Sequence, residues 1–307
     1  MKRPPIRPPA GAATQGEKLL VDREDTLLAF VIASLPKRSR NDIKAALRGQ
    51  GITVGGRVVT RFDHPLTPGQ VVEVCWHGPA LAAAAPGLTI VHEDDDLIVI
   101  DKPGGLLTVA TDREKRRTAY AMLSDYLKSA NPEAKIFIVH RLDRETSGLL
   151  LFAKSEEIKR RIQETWESTV AERSYVAVVQ GEVLAEKGTV TSYLTESSAL
   201  VVYSSPNPKH GRKSVTHYRR LRGNGIYSLL ELNLDTGRKH QIRVHMQDLG
   251  HPVVGDSKYG ATANPLRRLC LHARVLAFHH PRSGQLCRFE TPIPAAFLRL
   301  FRPPKGV

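Results

Sequence analysis

Apolar positions along the chain change period several times, and each change predicts an element. Leu27, Phe30, Val31 and Leu35 recur at helical spacing on one face, and Pro36 ends that helix. A second helix is predicted from about Ser39, with Asp42 at its third helical position, Ile43 and Leu47 inward, and Gly49 and Gly51 as its stop. Its other face carries Arg40, Lys44 and Arg48. Short strands follow over 52–54, 57–60 and 71–76, the first two joined by a tight turn at Gly55-Gly56. This reads as a compact helix-helix-strand module. The segment ahead of it is rich in Pro, Gly and Ala with scattered basic side chains, and it lacks the apolar periodicity that would offset ordering entropy, so residues 1–21 are predicted as a flexible basic arm.

An Ala-, Gly- and Pro-rich stretch over 77–87 reads as a linker, after which strand patterns resume at 88–92 and 97–101. Tyr120, Leu123 and Leu127 make a helical face. Strands are predicted over 136–139 and 149–152, with the segment HRLDRETSG as the loop between them. Ser155 caps a helix whose inner face is Ile158, Ile162 and Trp166, and Tyr175, Ala177 and Val179 alternate on one side of the next strand. Strands dominate the remainder of the chain, except where Ile242, Met246 and Leu249 face inward at helical spacing and Gly250 supplies a stop.

Composition turns this outline towards a polyanionic partner. The 307 residues suit a catalytic domain plus a small accessory module, and 45 Lys and Arg against 31 Asp and Glu leave a net charge of +14. Nucleic acid comes before membrane, since no stretch approaches the roughly 20 apolar residues of a spanning helix. No signal-peptide pattern opens the chain, and a cytoplasmic location is expected. Cys75, Cys270 and Cys287 are few, far apart and odd in number, which suggests buried thiols and not a disulfide framework or a metal site.

The loop from His140 to Gly148 concentrates ionisable groups where a turn needs only Gly, Ser or Asp. Read alone, Asp143 ahead of Thr, Ser and Gly is a turn former. A kinase catalytic loop is excluded: its order is His-Arg-Asp, and the chain has neither the following Asn, nor a glycine-rich phosphate loop, nor Asp-Phe-Gly.

Read together, HRLDRETSGLLLFAKS, ERSYVAVVQG, TGRKHQIRVHMQDLGHPVVGDSKYG and RLCLHARVLAFHHP, in that order, resemble the RluA-like family of RNA pseudouridine synthases over about residues 88–301. Residues 25–74 resemble the S-four-type RNA-binding domain. The resemblance implies an α+β fold with a mixed, largely antiparallel central sheet and flanking helices in a catalytic domain over 88–307, preceded by a small α/β RNA-binding domain over 22–76. It also implies isomerisation of uridine: the bond from ribose C1′ to uracil N1 breaks, the base turns, and it rejoins through C5. With no net redox change or hydrolysis, no cofactor is expected. The chemistry needs a carboxylate beside the ribose, as a nucleophile at C1′ or a base at C2′, and the match gives Asp143. A nearby guanidinium can hold such a group charged and oriented, and the match gives Arg243; its alternatives are a phosphate contact or a solvated helix face, with Arg238 and Lys239 close by. Because the uracil must leave its stack, an aromatic face is needed, and Tyr175 matches it, against the alternative of ordinary strand core. Arg141 is implied to hold the flipped state, and Leu271 to close the uracil pocket unless it too is core.

Other clusters point elsewhere. His240 with His245, or His279 and His280 with Cys287, lack zinc-site spacing and are expected to make structural or RNA hydrogen bonds. The acidic run at 93–96 reads as a solvated turn, and the Gly-Asp-Ser-Lys-Tyr-Gly segment at 255–260 as an architectural one. Lys37, Arg38, Arg57 and Arg61 surround the stripe of Arg40, Lys44 and Arg48 and favour phosphate binding there. Two departures from the family pattern, Lys239 where many members carry Thr and Thr108-Val109-Ala110 after Lys-Pro-Gly-Gly-Leu, are expected to bear on RNA choice and not on chemistry. The expected partner is RNA, ribosomal before transfer RNA, with no membrane, no metal and a monomeric chain. The rivals are a noncatalytic RNA-binding ribosome-assembly factor and a glycosidase, for which Glu145 is the only second carboxylate near by.

Overall fold

The computed structural model of the chain describes residues 17–36, 38–48, 51–74, 81–85 and 87–302. Two compact units are present: Met1–Leu81 with His92–Asp95, and Ala82–Val91 with Asp96–Val307.

In the first unit β1 (Glu17–Leu20) and β2 (Asp25–Thr26) precede α1 (Leu27–Ser34) and α2 (Arg40–Arg48), and β3 (Ile52–Val54), β4 (Arg57–Val58), β5 (Pro65–Leu66) and β6 (Val71–Val74) follow. The order β1-β6-β3-β4 forms one sheet, and β2 pairs with β5. Leu27, Phe30, Val31, Ile43, Leu47, Ile52 and Val72 close the core. Helix α2 opens with a reciprocal cap: Ser39 Oγ accepts from Asp42 N at 3.1 Å, and Asp42 Oδ2 accepts from Ser39 N at 3.3 Å. Gly55 and Gly56 both have positive φ, at 57° and 77°, which a two-residue hairpin of this hand requires. Strand β1 shortens the expected arm. Its four residues pair antiparallel with Val71–Val74, Leu19 packs on the core, and Lys18 reaches Glu73 at 2.7 Å. The strand expected over 57–60 stops at Val58, and residues 75–76 of the other lie outside the described chain.

The second sheet starts with β7 (Leu81–Ala85), β8 (Leu88–Glu93) and β9 (Leu97–Lys102), followed by α3 (Ala119–Ala130), β10 (Phe137–Ile138) and β11 (Ser147–Ala153). Next come α4 (Glu156–Glu164), α5 (Trp166–Thr169), β12 (Val170–Gln180), β13 (Lys187–Glu196), β14 (Val202–Ser205), β15 (Arg212–Gly223) and β16 (Tyr227–Leu234). Helix α6 (Gln241–Asp248), β17 (Leu271–His279), β18 (Leu286–Glu290) and α7 (Ala295–Arg299) complete it. Twelve strands run in the order β14-β13-β15-β16-β12-β17-β11-β9-β8-β7, with β10 added on β11 and β18 on β17. The β11–β17 pairing is parallel, whereas β9–β11, β12–β17, β12–β16 and β15–β16 are antiparallel, giving the mixed, largely antiparallel α+β fold that the family resemblance implies.

Three local expectations change. Leu81–Ala85, inside the expected linker, form a strand, since an edge strand needs only backbone pairing. Helix α4 stops at Glu164, where the Thr165 hydroxyl turns back to Arg161 O at 2.6 Å, so Trp166 begins a separate short helix and does not extend the Ile158–Ile162 face. Val176, Ala177, Val178 and Val179 are all buried, because both faces of β12 are covered, and strict alternation is lost.

The parallel pairing sets where the HRLDRETSG loop ends. Gly148 has φ +113°, and a Cβ there would lie 2.2 Å from Ala273 O, so only glycine lets β11 leave the loop flush against β17.

Candidate active site

The loop bearing Asp143 is held by backbone-directed hydrogen bonds. Thr108 donates its hydroxyl to Leu142 O at 2.8 Å and accepts from Leu142 N at 3.2 Å, while Thr146 N donates to Asp143 O at 3.2 Å. The Lys102 ammonium is fully buried and donates to Pro103 O, Leu106 O and Arg144 O at 3.0, 2.7 and 3.1 Å. Burial without a bonded carboxylate pushes this lysine down to about 8, although Glu145 and Asp143 pull it the other way. Thr108, at one of the departures from the family pattern, thus braces the residue next to Asp143.

Helix α6 supplies the guanidinium. Arg243 Nη1 lies 3.3 Å from Asp143 Oδ2, and Nε and Nη2 grip Asp256 at 2.6 and 2.8 Å in a bidentate fork. The Asp256 side chain is 1% exposed, and the Tyr259 ring lies 4.8 Å from the guanidinium carbon. Burial opposes the Arg243 charge, but the hydrogen bonds and charges of Asp256 and Asp143 outweigh it and raise the pKa. His240 Nε2 stands 3.7 Å from Asp143 Oδ2, and Nδ1 is bonded to the Tyr259 hydroxyl at 2.7 Å. Burial pushes His240 down to about 4 despite Asp143, so the ring is neutral near pH 7.

Asp143, His240 and Arg243 line a cavity of about 480 Å³ with Tyr175, Leu271, Arg141, Trp166, Arg173 and Arg238. The register Tyr175↔Ala273 and Ala177↔Leu271 sets Tyr175 and Leu271 diagonally on one sheet face. Burial pushes the Tyr175 phenol above its usual range, which keeps it protonated. Arg141 is exposed. Arg173 donates to Leu234 O and Asp235 O, both at 3.3 Å, and its guanidinium carbon is 5.6 Å from the centre of the Trp166 ring. His140, pushed down to about 3 by burial, accepts from Leu151 N at 3.1 Å.

Several positions sit apart from the cavity or do different work from that expected. Lys239 is exposed and ion-paired with Glu196. Arg40 and Lys44 are exposed on α2 in the other unit, and the Arg48 side chain, like Lys37 and the Arg57 side chain, lies outside what is described. Arg38 meets Glu17 at 3.5 Å and Arg61 meets Asp63 at 2.8 Å, so each has an acidic partner within the same unit. His245, one of the histidines weighed as a metal ligand, is buried between Ser192 and Thr216. Asp256, Tyr259, Trp166 and Lys102 are residues at or behind the site that sequence reasoning does not assign to it, and His240, weighed there as a metal ligand, makes the hydrogen bond expected of it instead. The Asp and Tyr of the 255–260 turn are visible there as polar and aromatic groups, but only the fold brings them beneath Arg243.

Comparison with known proteins identifies relatives of the chain. The family described as RNA pseudouridylate synthase matches residues 96–248. Ribosomal large subunit pseudouridine synthase D of Escherichia coli K12 is 32% identical over 305 residues, covering 94% of this chain and 92% of its own. tRNA pseudouridine synthase C of Haemophilus ducreyi is 38% identical over 219 residues, covering 64% of this chain and 88% of its own. The solved human RNA pseudouridylate synthase domain containing 4 has the same fold, with a TM-score of 0.56 at 24% identity over 68% of this chain and 90% of that one. This chain therefore belongs to the RluA-like family of RNA pseudouridine synthases, isomerases that rearrange uridine within RNA.

Proposed function

We propose that this chain, acting as a cytoplasmic monomer, converts particular uridines of ribosomal RNA to pseudouridine, with Asp143 as the group that attacks the ribose. The observation that carries this reading is the Asp143–Arg243 ion pair in a cavity walled by Tyr175 and Leu271. The carboxylate adds to C1′, or takes a proton from C2′ to give a glycal; either route releases N1. Uracil then turns and C5 bonds to C1′ as the ester bond to Asp143 breaks or, from the glycal, as the proton returns to C2′; C5 loses its proton and N1 takes one up, so the base keeps its composition. Arg243, fixed by Asp256, holds the carboxylate charged and aimed, while Tyr175 offers the freed base a neutral aromatic face with Leu271 beside it. Arg141, exposed at the cavity, supports the RNA around the extruded nucleotide. The steps balance without a cofactor.

The first unit fits an S-four-type RNA-binding domain, and exposed Arg40 and Lys44 on α2 are its phosphate contacts. Ribosomal RNA is favoured because the ribosomal relative aligns over 94% of the chain, the transfer RNA relative over 64%. A glycosidase needs a free second carboxylate; Asp256 is held by Arg243, and Glu145 is exposed beside Arg144.

The test is a pseudouridine map of ribosomal and transfer RNA from cells lacking the gene, complemented with wild type or Asp143→Asn. One or more sites lost and restored only by wild type would support the reading. Restoration by Asp143→Asn would remove Asp143 from the chemistry, and an unchanged map would favour a binding or assembly role.

A further inference from the structure

His240 combines a left-handed backbone with a defined proton position, and both features are aimed at Asp143. Its φ of +57° is unfavourable for a residue with a Cβ. The turn before α6 imposes it. Buried Gln241 accepts from Thr236 Oγ1 and Arg238 N at 2.8 and 3.0 Å and donates to Val215 O and Thr216 Oγ1 at 2.9 and 3.0 Å, which locks the chain on either side. Strain that the surroundings over-determine, found at a reactive carboxylate, is a pointer to function.

The hydrogen-bond directions fix the tautomer. Val202 N donates to the Tyr259 hydroxyl at 3.2 Å, and Tyr259 is 2% exposed. If His240 Nδ1 also donated to that oxygen, the buried phenol hydrogen would have no acceptor, and an Nε2 lone pair would face the carboxylate. With Tyr259 donating to Nδ1, each group is satisfied, and the proton sits on Nε2, facing Asp143 Oδ2 at 3.7 Å. That is longer than a hydrogen bond, as such contacts often are before substrate binds.

We propose that His240 is a positioning residue: its Nε2–H, with Arg243 Nη1, holds Asp143 by Oδ2 and leaves Oδ1 as the oxygen that acts on the ribose. This rests on Asp143 being the reacting carboxylate. The contact of each neighbour is to Oδ2, and the Arg243 hydrogen bond to Asp143 is made there. A neutral donor orients the group without adding a second cation that would weaken it as a base or nucleophile.

Two substitutions separate this role from a structural one. Glutamine places its amide where Nε2 lies, and asparagine places its amide where Nδ1 lies; asparagine also tolerates a left-handed backbone better. If His240 matters only as a tie to Tyr259, His240→Asn preserves function and His240→Gln loses it. Positioning through Nε2–H predicts the reverse.

The assay uses total RNA from cells lacking the gene, grown with uridine tritiated at C5, and reads tritium released to water with enzyme in excess. His240→Asn is expected to melt near wild type and lose about tenfold or more in maximal rate at unchanged half-saturating enzyme concentration. His240→Gln is expected to melt lower yet keep most of that rate. Equal rates for the two variants, or a faster His240→Asn, overturn the proposal. ¹⁵N-histidine spectra of the wild-type protein give an independent reading: a protonated Nδ1 on His240 at neutral pH also overturns it. Asp143→Asn runs alongside. Turnover by that variant means that the reading of Asp143 has failed, whereas loss of turnover there with both His240 variants active means that only the positioning role has failed.

Discussion

Two clusters of opposite charge lie on the large sheet, and they work on different principles. Around Asp143, Arg243 is gripped by a carboxylate that is 1% exposed, and Lys102 by three carbonyls. The other cluster runs as a ladder across five strands. Arg219 meets Glu231 at 2.7 Å, Arg274 bridges Glu231 and Glu290, and Arg288 joins Glu290 at 2.7 Å to Glu172 at 3.1 Å. Glu231 sits next to Leu232, the direct partner of Tyr175, so strand alternation turns Glu231 away from the Tyr175 face. Both clusters satisfy a distance criterion for ion pairs. They differ in what replaces a lost partner: water and neighbouring charges in the ladder, nothing in the cavity.

Asp256→Asn should have the largest effect. The amide cannot accept both arms of the guanidinium, which leaves a buried cation under-compensated at a cost of about 3–5 kcal/mol. Arg243 would also lose its aim on Asp143, and turnover should fall on the order of a hundredfold. Urea unfolding and tritium release from C5-labelled RNA measure the two losses. Stability within about 1 kcal/mol of wild type would break the contrast between the clusters.

Lys102→Met should come next. Arg144 O keeps the Gly105 amide at 2.9 Å, but Pro103 O and Leu106 O lose the ammonium, at about 1–3 kcal/mol for each buried acceptor left unpaired. The wild-type lysine also predicts a pH effect. Its folded pKa, about 8, lies below the ordinary 10.5 because the ammonium is buried. Between those values the unfolded chain holds a proton that the folded chain lacks, so this group's contribution to stability rises with pH. Activity should move the other way, since a neutral amine has two hydrogens for three carbonyls and the Asp143 loop loosens. A turnover profile that falls above about pH 8 in wild type and is flat there in Lys102→Met is the expected result; parallel profiles would assign the limb to another group.

How much of the fold and the site is legible in the sequence obeys the same division. Helices α1, α2 and α6 and the strands around the Asp143 loop can be read because apolar periodicity and caps are local signals: Ser39 and Asp42 cap each other as their spacing suggests. Arg243 beside Asp143 comes from a family resemblance, because nothing local brings together residues 100 apart. Asp256 and Tyr259 read as a turn, since their short-range pattern is that of one. Trp166 reads as core because the break at Thr165 rests on one hydroxyl turning back on its own helix. The basic stripe shows the converse: Arg38 looks available in the sequence, but its partner Glu17, 21 residues away, can be identified only from the fold.

The smallest effect is expected from Glu231→Gln, which makes the same chemical change in the ladder as Asp256→Asn makes in the cavity. Arg219, with its side chain 58% exposed, turns to water when the carboxylate is lost, and Arg274 keeps Glu290. The Glu231 side chain is itself only 17% exposed, so the loss should exceed the roughly 0–1 kcal/mol of a fully exposed pair but stay well below that at Asp256, and turnover should be unchanged. Salt sharpens the comparison. In about 1 M salt the screening length shrinks to about 3 Å, which should erase most of the difference between wild type and Glu231→Gln. The Asp256→Asn difference should persist there, because ions cannot enter the space between Arg243 and a fully buried carboxylate. A salt-sensitive loss at Asp256, or a loss of several kcal/mol at Glu231, would mean that burial is not what separates the two clusters.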